Sequence, residues 1–271
     1  MPVGRGHKPL PSPADQVVAV GSGKGGVGKS TVSLNLAAAL AERGLAIGLL
    51  DADFYGPNIP LMVGLKREKW QGDWEMARRN AGSERPRRPP IERYGLKIMS
   101  AGFIIAEDQP LILDGQTLPF LMRQLVAEVD WGMLDFLIVD LPPGTADVQQ
   151  HLMRLLPISG AIVVTTPQDV AHLDARKAVQ MFRSAGVPLL GAVENMSSFI
   201  CPHCNQPIDV FSRVPDSRSI WSLGVEKLAA IPLDPSISSS GDSGVPQILR
   251  HPSSLQAAAF REVARRVVEK L

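Results

Sequence analysis

Cysteine is almost missing from this 271-residue chain: Cys201 and Cys204 are the only two, too close in sequence to build a disulfide framework. An excess of charge of either sign is missing too. Twenty-eight basic residues against 27 acidic ones leave a formal +1, which lends no support to a general nucleic-acid-binding surface. No apolar run approaches the roughly 18 residues needed to cross a bilayer. The stretch Met1–Gln16 carries no apolar segment of the kind a secretion signal needs. There is no internal repeat. The expectation is a soluble, cytoplasmic protein with no nucleic-acid partner and no stable membrane association. What is present is a 45% apolar, 20% charged composition, enough to bury a sizeable core.

Along the chain, residues 1–15 are rich in Pro and Gly and read as a flexible leader. Residues 16–271 read as one domain. Gln16–Gly21 is a short apolar run of the kind found in strands buried on both faces. A Gly-rich turn follows, then helical spacing over Ser30–Arg43 and a second strand over Leu45–Leu50, with Gly44 as the helix stop. The alternation returns with strands at Phe136–Val139, Ala161–Val164 and Val187–Val193, a helix over about Val170–Ala185 and a closing helix over Leu255–Leu271. Strands alternating with helices predict an α/β fold, a single doubly wound, mostly parallel sheet with helices on both faces. Two stretches break the pattern: a polar, Arg/Pro-rich exposed excursion at about 66–93, and the cysteine-bearing segment 197–219. Met99, Met122, Met133 and Met153 read as core filler, His151 and His172 as surface or packing residues.

Gly23-Lys24-Gly25-Gly26-Val27-Gly28-Lys29-Ser30 fits the pattern GxxxxGK[ST], and it lies between a predicted strand and a predicted helix. Glycines let the backbone turn so that several N–H groups face one anion, and the helix N-terminus adds its positive end. Lys29 reaches the β/γ-phosphates, and the Ser30 hydroxyl can ligate Mg²⁺. This is a nucleotide site, extending to Thr31. Asp51, Asp53 and Asp140 stand at strand ends, where ligands bind in open α/β sheets. Asp140 is the natural Mg²⁺-holding residue, although a carboxylate there can also serve as a helix cap.

Lys24 makes the loop resemble the deviant Walker A motif of the dimeric ATPases that include the MinD, ParA and nitrogenase iron-protein families. The resemblance implies that Lys24 crosses to the partner's nucleotide, that Asp53 orients the attacking water with Asp51 as Mg²⁺ support, and that Gly144–Asp147 is a switch loop. Cys201-Pro-His-Cys204 is a CxxC pair with no second pair in the chain, half of a four-thiolate site. Taken from the residues alone it fits an iron–sulfur cluster shared between two copies, a zinc ion, or a thiol redox pair or inert remnant. His203 is not taken as a ligand.

Together with Glu194–Cys204, the segments Asp51–Pro60, Val139–Thr145 and Thr165–Val170 resemble the Mrp (ApbC) family of P-loop ATPases that carry iron–sulfur clusters. Departures from that family's pattern fall at Leu113–Thr117, Ala146 and Phe211–Ser217. The resemblance implies a homodimer with a labile 4Fe–4S cluster bridging Cys201 and Cys204 of both subunits. It also implies Asn195 at the adenine, and slow ATP hydrolysis coupled to delivery of the cluster from an assembly scaffold to apoproteins. The competing reading is a MinD/ParA-type positioning ATPase on membrane or DNA, for which Arg261, Arg265 and Arg266 of the last helix would supply a basic face. A third, an electron donor like the nitrogenase iron protein, fits less well because such proteins place their ligand cysteines far apart in sequence.

Overall fold

The computed structural model describes residues 11–65, 87–104, 117–144 and 147–271, with the side chains of 117–120 and 147 excepted. Residues 1–10 of the leader, 66–86 of the polar excursion, Leu113–Gln116, Thr145 and Ala146 lie outside the described residues.

The first strand, β1 (Gln16–Ser22), is buried from Val17 onward because its apolar run leaves no face for water. Helix α1 (Lys29–Ala41) is buried almost all round, so its apolar residues show no single stripe. It ends where Gly44 takes φ 83° and returns its N–H to the Ala41 carbonyl at 2.9 Å. Then come β2 (Ile47–Asp51), the single turn α2 (Ile59–Met62), β3 (Ile91–Arg93), β4 (Leu96–Ser100), α3 (Thr117–Ala127), β5 (Phe136–Asp140), α4 (Asp147–Leu155) and β6 (Gly160–Thr165). The chain closes with α5 (Asp169–Ser184), β7 (Leu189–Ile200), β8 (Pro207–Ile208), β9 (Lys227–Leu233), α6 (Pro235–Asp242), α7 (Gln247–Arg250) and α8 (Leu255–Lys270).

The described strands join one sheet in the order β3-β4-β2-β5-β1-β6-β7-β8, with β9 on β7. Pairing is parallel except where β3 runs against β4 and β8 against β7. The expected doubly wound α/β architecture is therefore the one observed. Its register does the functional work, because Asp51 of β2 and Val20 of β1 both stand opposite Asp140 of β5. Three strand ends thus bring the Gly-rich turn and two acids to one edge.

Several expectations are corrected. The strand predicted over Val187–Val193 runs on to Ile200, because backbone pairing with β9 and β8 carries its polar residues. Strands β4 and β9 were not predicted; β9 ends in Ile231-Pro232-Leu233, and proline is tolerated there because the strand lies outermost on its side of β7. The described end of the 66–93 excursion is exposed at Arg87, Pro89, Glu92 and Arg93, as expected, but it is not all loop and not all solvated. Ile91–Arg93 is a strand, and Arg88 is only 2% exposed, its N–H donating to the Glu128 carbonyl beside the Val129 bridge. Met133 is 93% exposed rather than core, since it follows Gly132 in the bend before β5.

Candidate functional site

The loop Gly23–Gly28 joins β1 to α1 and is held from two sides. A Cβ on Gly23 would lie 2.1 Å from the Asp174 carbonyl carbon of α5, and one on Gly28 would lie 2.2 Å from Asn195 Nδ2 of β7. Gly28 also takes φ 83°, a conformation that a side chain would strain. No side chain caps α1, so its first N–H groups remain available to an anion. Gly144 reaches the same turn, donating its N–H to the Ser22 carbonyl at 3.0 Å.

Beneath the loop, Asp140 is fully buried and is the hub. Its Oδ2 accepts from Ser30 Oγ at 2.6 Å and pairs with Lys29 Nζ at 2.9 Å, while Oδ1 lies 2.7 Å from Ser33 Oγ. Asp53 Oδ2 stands 3.7 Å from the same ammonium, and its Oδ1 accepts the Tyr55 and Gly56 N–H groups. Burial alone would lower the pKa of Lys29, but Asp140, then Asp53 and Asp51, outweigh it and raise it. Asp51, also fully buried, accepts from Ser100 Oγ at 2.8 Å and from the Asp53 and Ile59 N–H groups. Burial and then the neighbouring Asp140 carboxylate push its pKa up to about 7 despite those bonds. The arrangement gathers oxygen ligands, a lysine and free amides around a place for a polyphosphate.

That place is a cleft of about 450 Å³, lined by Lys24–Gly26, Gly28–Thr31, Asp53, Pro143, Asn195, Met196, Pro232–Asp234 and Ile237–Ser238. Asn195 Nδ2 donates to the Val27 carbonyl at 2.9 Å, tying β7 to the loop. The next residue, Met196, takes a left-handed φ of 54° where the β7–β9 register slips. The bulge turns Asn195 and Met196 into the cleft wall. Lys24 lines the cleft too, but its Nζ donates to Gln168 Oε1 at 3.3 Å and makes no contact with the carboxylates. The backbone of Asp147 opens α4.

The cysteines sit elsewhere on the same strand. Beyond Asn195, β7 continues to Ile200 and folds back as β8, pairing Phe199 with Ile208 and Ile200 with Pro207. Cys201 and Cys204 occupy the tip: the Cys201 N–H donates to the Gln206 carbonyl, and Asn205, at φ 56°, donates back to the Cys201 carbonyl. Both thiols are free, Cys201 half-buried and Cys204 exposed. N–H groups of Cys204 and then His203, followed by the Cys204 side chain, draw the Cys201 pKa below its ordinary value, which favours the thiolate. Among the described residues no three His, Cys, Asp or Glu side chains are placed to hold a metal ion.

After the hairpin the chain returns along α5. The Val214 N–H donates to the Pro167 carbonyl, Arg218 pairs with Asp169 at 2.9 Å, and the Ile220 N–H donates to His172 Nδ1. His172 is thus a packing residue, fully buried and edge-on to Trp221. Burial lowers its pKa, so it is neutral when folded and gains a proton more readily when unfolded. Stability is therefore expected to be full above the ordinary histidine pKa, about 6.5, and to fall as pH drops through it. His172→Phe should flatten that part of the melting-temperature profile between about pH 7 and 5; an unchanged slope would remove His172 as its source.

Sequence reasoning missed Ser33, Ser100 and Gln168 as partners of site residues. Only Ser33 carried a signal, standing one helical turn beyond Lys29 and so on the same face.

Across residues 14–268 the chain matches the sequence profile of the ParA family described as NUBPL iron-transfer P-loop NTPase. It is 46% identical over 250 residues to the iron-sulfur cluster carrier protein of Aquifex aeolicus, covering 92% of this chain and 66% of that protein. The chain thus spans just under two thirds of that relative's length. It is 42% identical over 258 residues to the iron-sulfur cluster transfer protein NUBPL of Mus musculus, covering 94% of this chain and 77% of that protein. Among solved structures, the nucleotide-binding protein of Archaeoglobus fulgidus in complex with ADP superposes with a TM-score of 0.67 at 35% identity, over 86% of this chain and 87% of that one. The cell division ATPase MinD of Pyrococcus furiosus, at 24% identity and a TM-score of 0.66 over 95% of this chain and 100% of that one, shares the fold alone. A match of this extent at these identities reflects common descent, and the chain belongs to the NUBPL iron-transfer P-loop NTPases of the ParA family.

Proposed function

We propose that this chain binds and hydrolyses ATP in the cleft and, as a homodimer, carries a labile 4Fe–4S cluster from an assembly scaffold to apoproteins. The observation that carries this reading is β7. One strand bears Asn195, bonded to the phosphate loop, and ends in the exposed Cys201–Cys204 turn. The names of the Aquifex and mouse relatives support the cargo, and the ADP complex of the Archaeoglobus protein supports the nucleotide.

In the cleft, the loop amides of Gly23–Gly28 cradle phosphates and Lys29 neutralises the β/γ-phosphates. Thr31 lines the same wall. Asp140, fully buried and bonded to the Ser30 hydroxyl, and fully buried Asp51, opposite it in register and raised to about 7 by burial and that acidic neighbour, form a hard-oxygen set that fits Mg²⁺. Ser30, Asp140 and Asp51 would hold that ion, which supplies charge neutralisation to the phosphates when bound. Asp53 orients the attacking water, Gly144 and Asp147 belong to the loop that senses the γ-phosphate, and Asn195 contacts the adenine. Lys24 reaches across to the nucleotide of the second subunit as an added positive charge. Two copies of the CxxC turn supply the four thiolates that one chain lacks.

A positioning ATPase is the weaker reading. It leaves the cysteine hairpin without a role, and α8 has no apolar face to offer a lipid surface. Phe260, Val263, Ala264 and Val267 are fully buried, while Arg265 and Arg266 pair with Glu262, and Arg261 with Glu42. We place the carrier in the cytoplasm, without nucleic-acid partners or stable membrane association.

Anaerobic reconstitution with iron and sulfide tests the proposal. The expected product shows broad visible Fe–S charge-transfer absorbance with about four irons and four sulfides per dimer. Bound zinc without sulfide, or no metal at all, would overturn the carrier reading and bring the nucleotide-switch reading forward.

A further inference from the structure

Lys24 is the one lysine of the phosphate loop whose ammonium is turned away from the carboxylates. Its partner, Gln168 Oε1 at 3.3 Å, belongs to the residue just before α5, and Thr166 Oγ1 lies 3.4 Å from the same oxygen. Gln168 has the extended backbone of a helix-capping residue, φ −64° and ψ 143°, yet its side chain caps nothing. A side chain that could have stayed in solvent instead turns its carbonyl oxygen to Lys24 and the neighbouring Thr166 hydroxyl.

The loop carrying Gln168 is held by the chain that trails the cysteines. The carbonyl of Pro167 accepts from the Val214 N–H at 2.9 Å, and the carboxylate of Asp169 pairs with Arg218 at 2.9 Å. The residues on both sides of Gln168 are therefore fastened to the segment 209–219. That segment follows directly on β8 and the Cys201–Cys204 turn.

We infer that Gln168 is a positioning residue that parks Lys24 within its own subunit, and that residues 209–219 hold the parking site in place. The inference rests on the reading of Lys24 as a lysine that acts on the other subunit's nucleotide. The hold is a single hydrogen bond to a neutral amide, so it is weak enough for a polyanionic phosphate to outcompete. Because the latch is fastened to the segment behind the cysteines, a change in the order of the cysteine turn alters how readily Lys24 is released.

The test uses the full chain without cluster. Gln168→Ala should raise kcat for ATP about three- to fivefold with KM unchanged, the size of change that losing one weak hydrogen bond carries. Gln168→Glu should lower kcat, since a carboxylate grips the ammonium harder. Both effects should vanish in a Lys24→Ala background. A merely structural role would make the Ala and Glu variants fall together, and that result overturns the inference. Arg218→Ala, at an exposed pair, should reproduce the Gln168→Ala increase in part; no increase overturns the link to residues 209–219. Acetylation of the Lys24 amine, followed by mass spectrometry without nucleotide, reads the hold with no turnover involved. Faster labelling in Gln168→Ala is expected, and unchanged labelling overturns the inference even if ATP is hydrolysed. Faster labelling in a protein that hydrolyses no ATP sustains the hold on Lys24 and overturns the ATPase reading instead.

Discussion

Lys29→Ala is expected to weaken ATP binding about a hundredfold, the loss that follows from removing a charge-assisted phosphate contact in a buried site. The same substitution has a second consequence in the empty protein. Lys29 is buried and is the cation paired with Asp140, with Asp53 3.7 Å away and fully buried Asp51 adding to its electrostatic hold. Without it Asp140 loses the ammonium that balances it, and breaking a buried pair from one side costs about 3–5 kcal/mol. The melting temperature of the nucleotide-free variant should therefore fall by roughly 5–10 °C. Titration calorimetry for ATP and a thermal melt without nucleotide measure the two effects separately. Full ATP affinity in a folded Lys29→Ala protein would remove the cleft as the nucleotide site.

Cys201→Ala should abolish cluster binding completely while leaving the rest of the molecule nearly untouched. In the proposed homodimer, symmetry doubles the damage, since one substitution would remove two of the four thiolates. The fold has little stake in the side chain: Cys201 lies at the tip of a hairpin, only half-buried, and its structural bonds are made by its own backbone N–H and carbonyl. A substitution of that kind stays within about 0.5 kcal/mol, so the melting temperature should move by no more than about 2 °C. ATP affinity should stay within about twofold, because the loop contact made by Asn195 stands six residues upstream, up to about 20 Å along an extended strand. Iron and sulfide counts after anaerobic reconstitution measure the first effect, and calorimetry the second. Iron retained at wild-type stoichiometry would defeat the assignment of the cysteine turn.

The parts of the site that were legible in the sequence are those built from chain neighbours. A glycine loop between an apolar run and a helical period fixes its own geometry, so Gly23–Ser30 could be placed before any contact was known. Asp51 and Asp140 were legible because each closes a short apolar strand. Ser100 was not: it lies at the end of β4, a strand whose Lys97 interrupts the apolar run, and it meets Asp51 only because β4 pairs with β2 in register. Arg88 was misread for a similar reason. An Arg/Pro-rich stretch looks solvated, and nothing local reveals that its backbone bridges to Val129.

Periodicity, φ preferences and spacing within a few residues were enough for the fold class, the phosphate loop and the existence of a two-cysteine turn. Long-range packing made β7 run through from its loop contact to the cysteines, gave Asp140 the partners Lys29, Ser30 and Ser33, and rested Lys24 on Gln168. Lys24 and Gln168 are 144 positions apart, and Ser33 and Asp140 are 107. Their meeting is set by sheet order and register, which arise from the packing of the whole chain and leave no trace in the local pattern of residues.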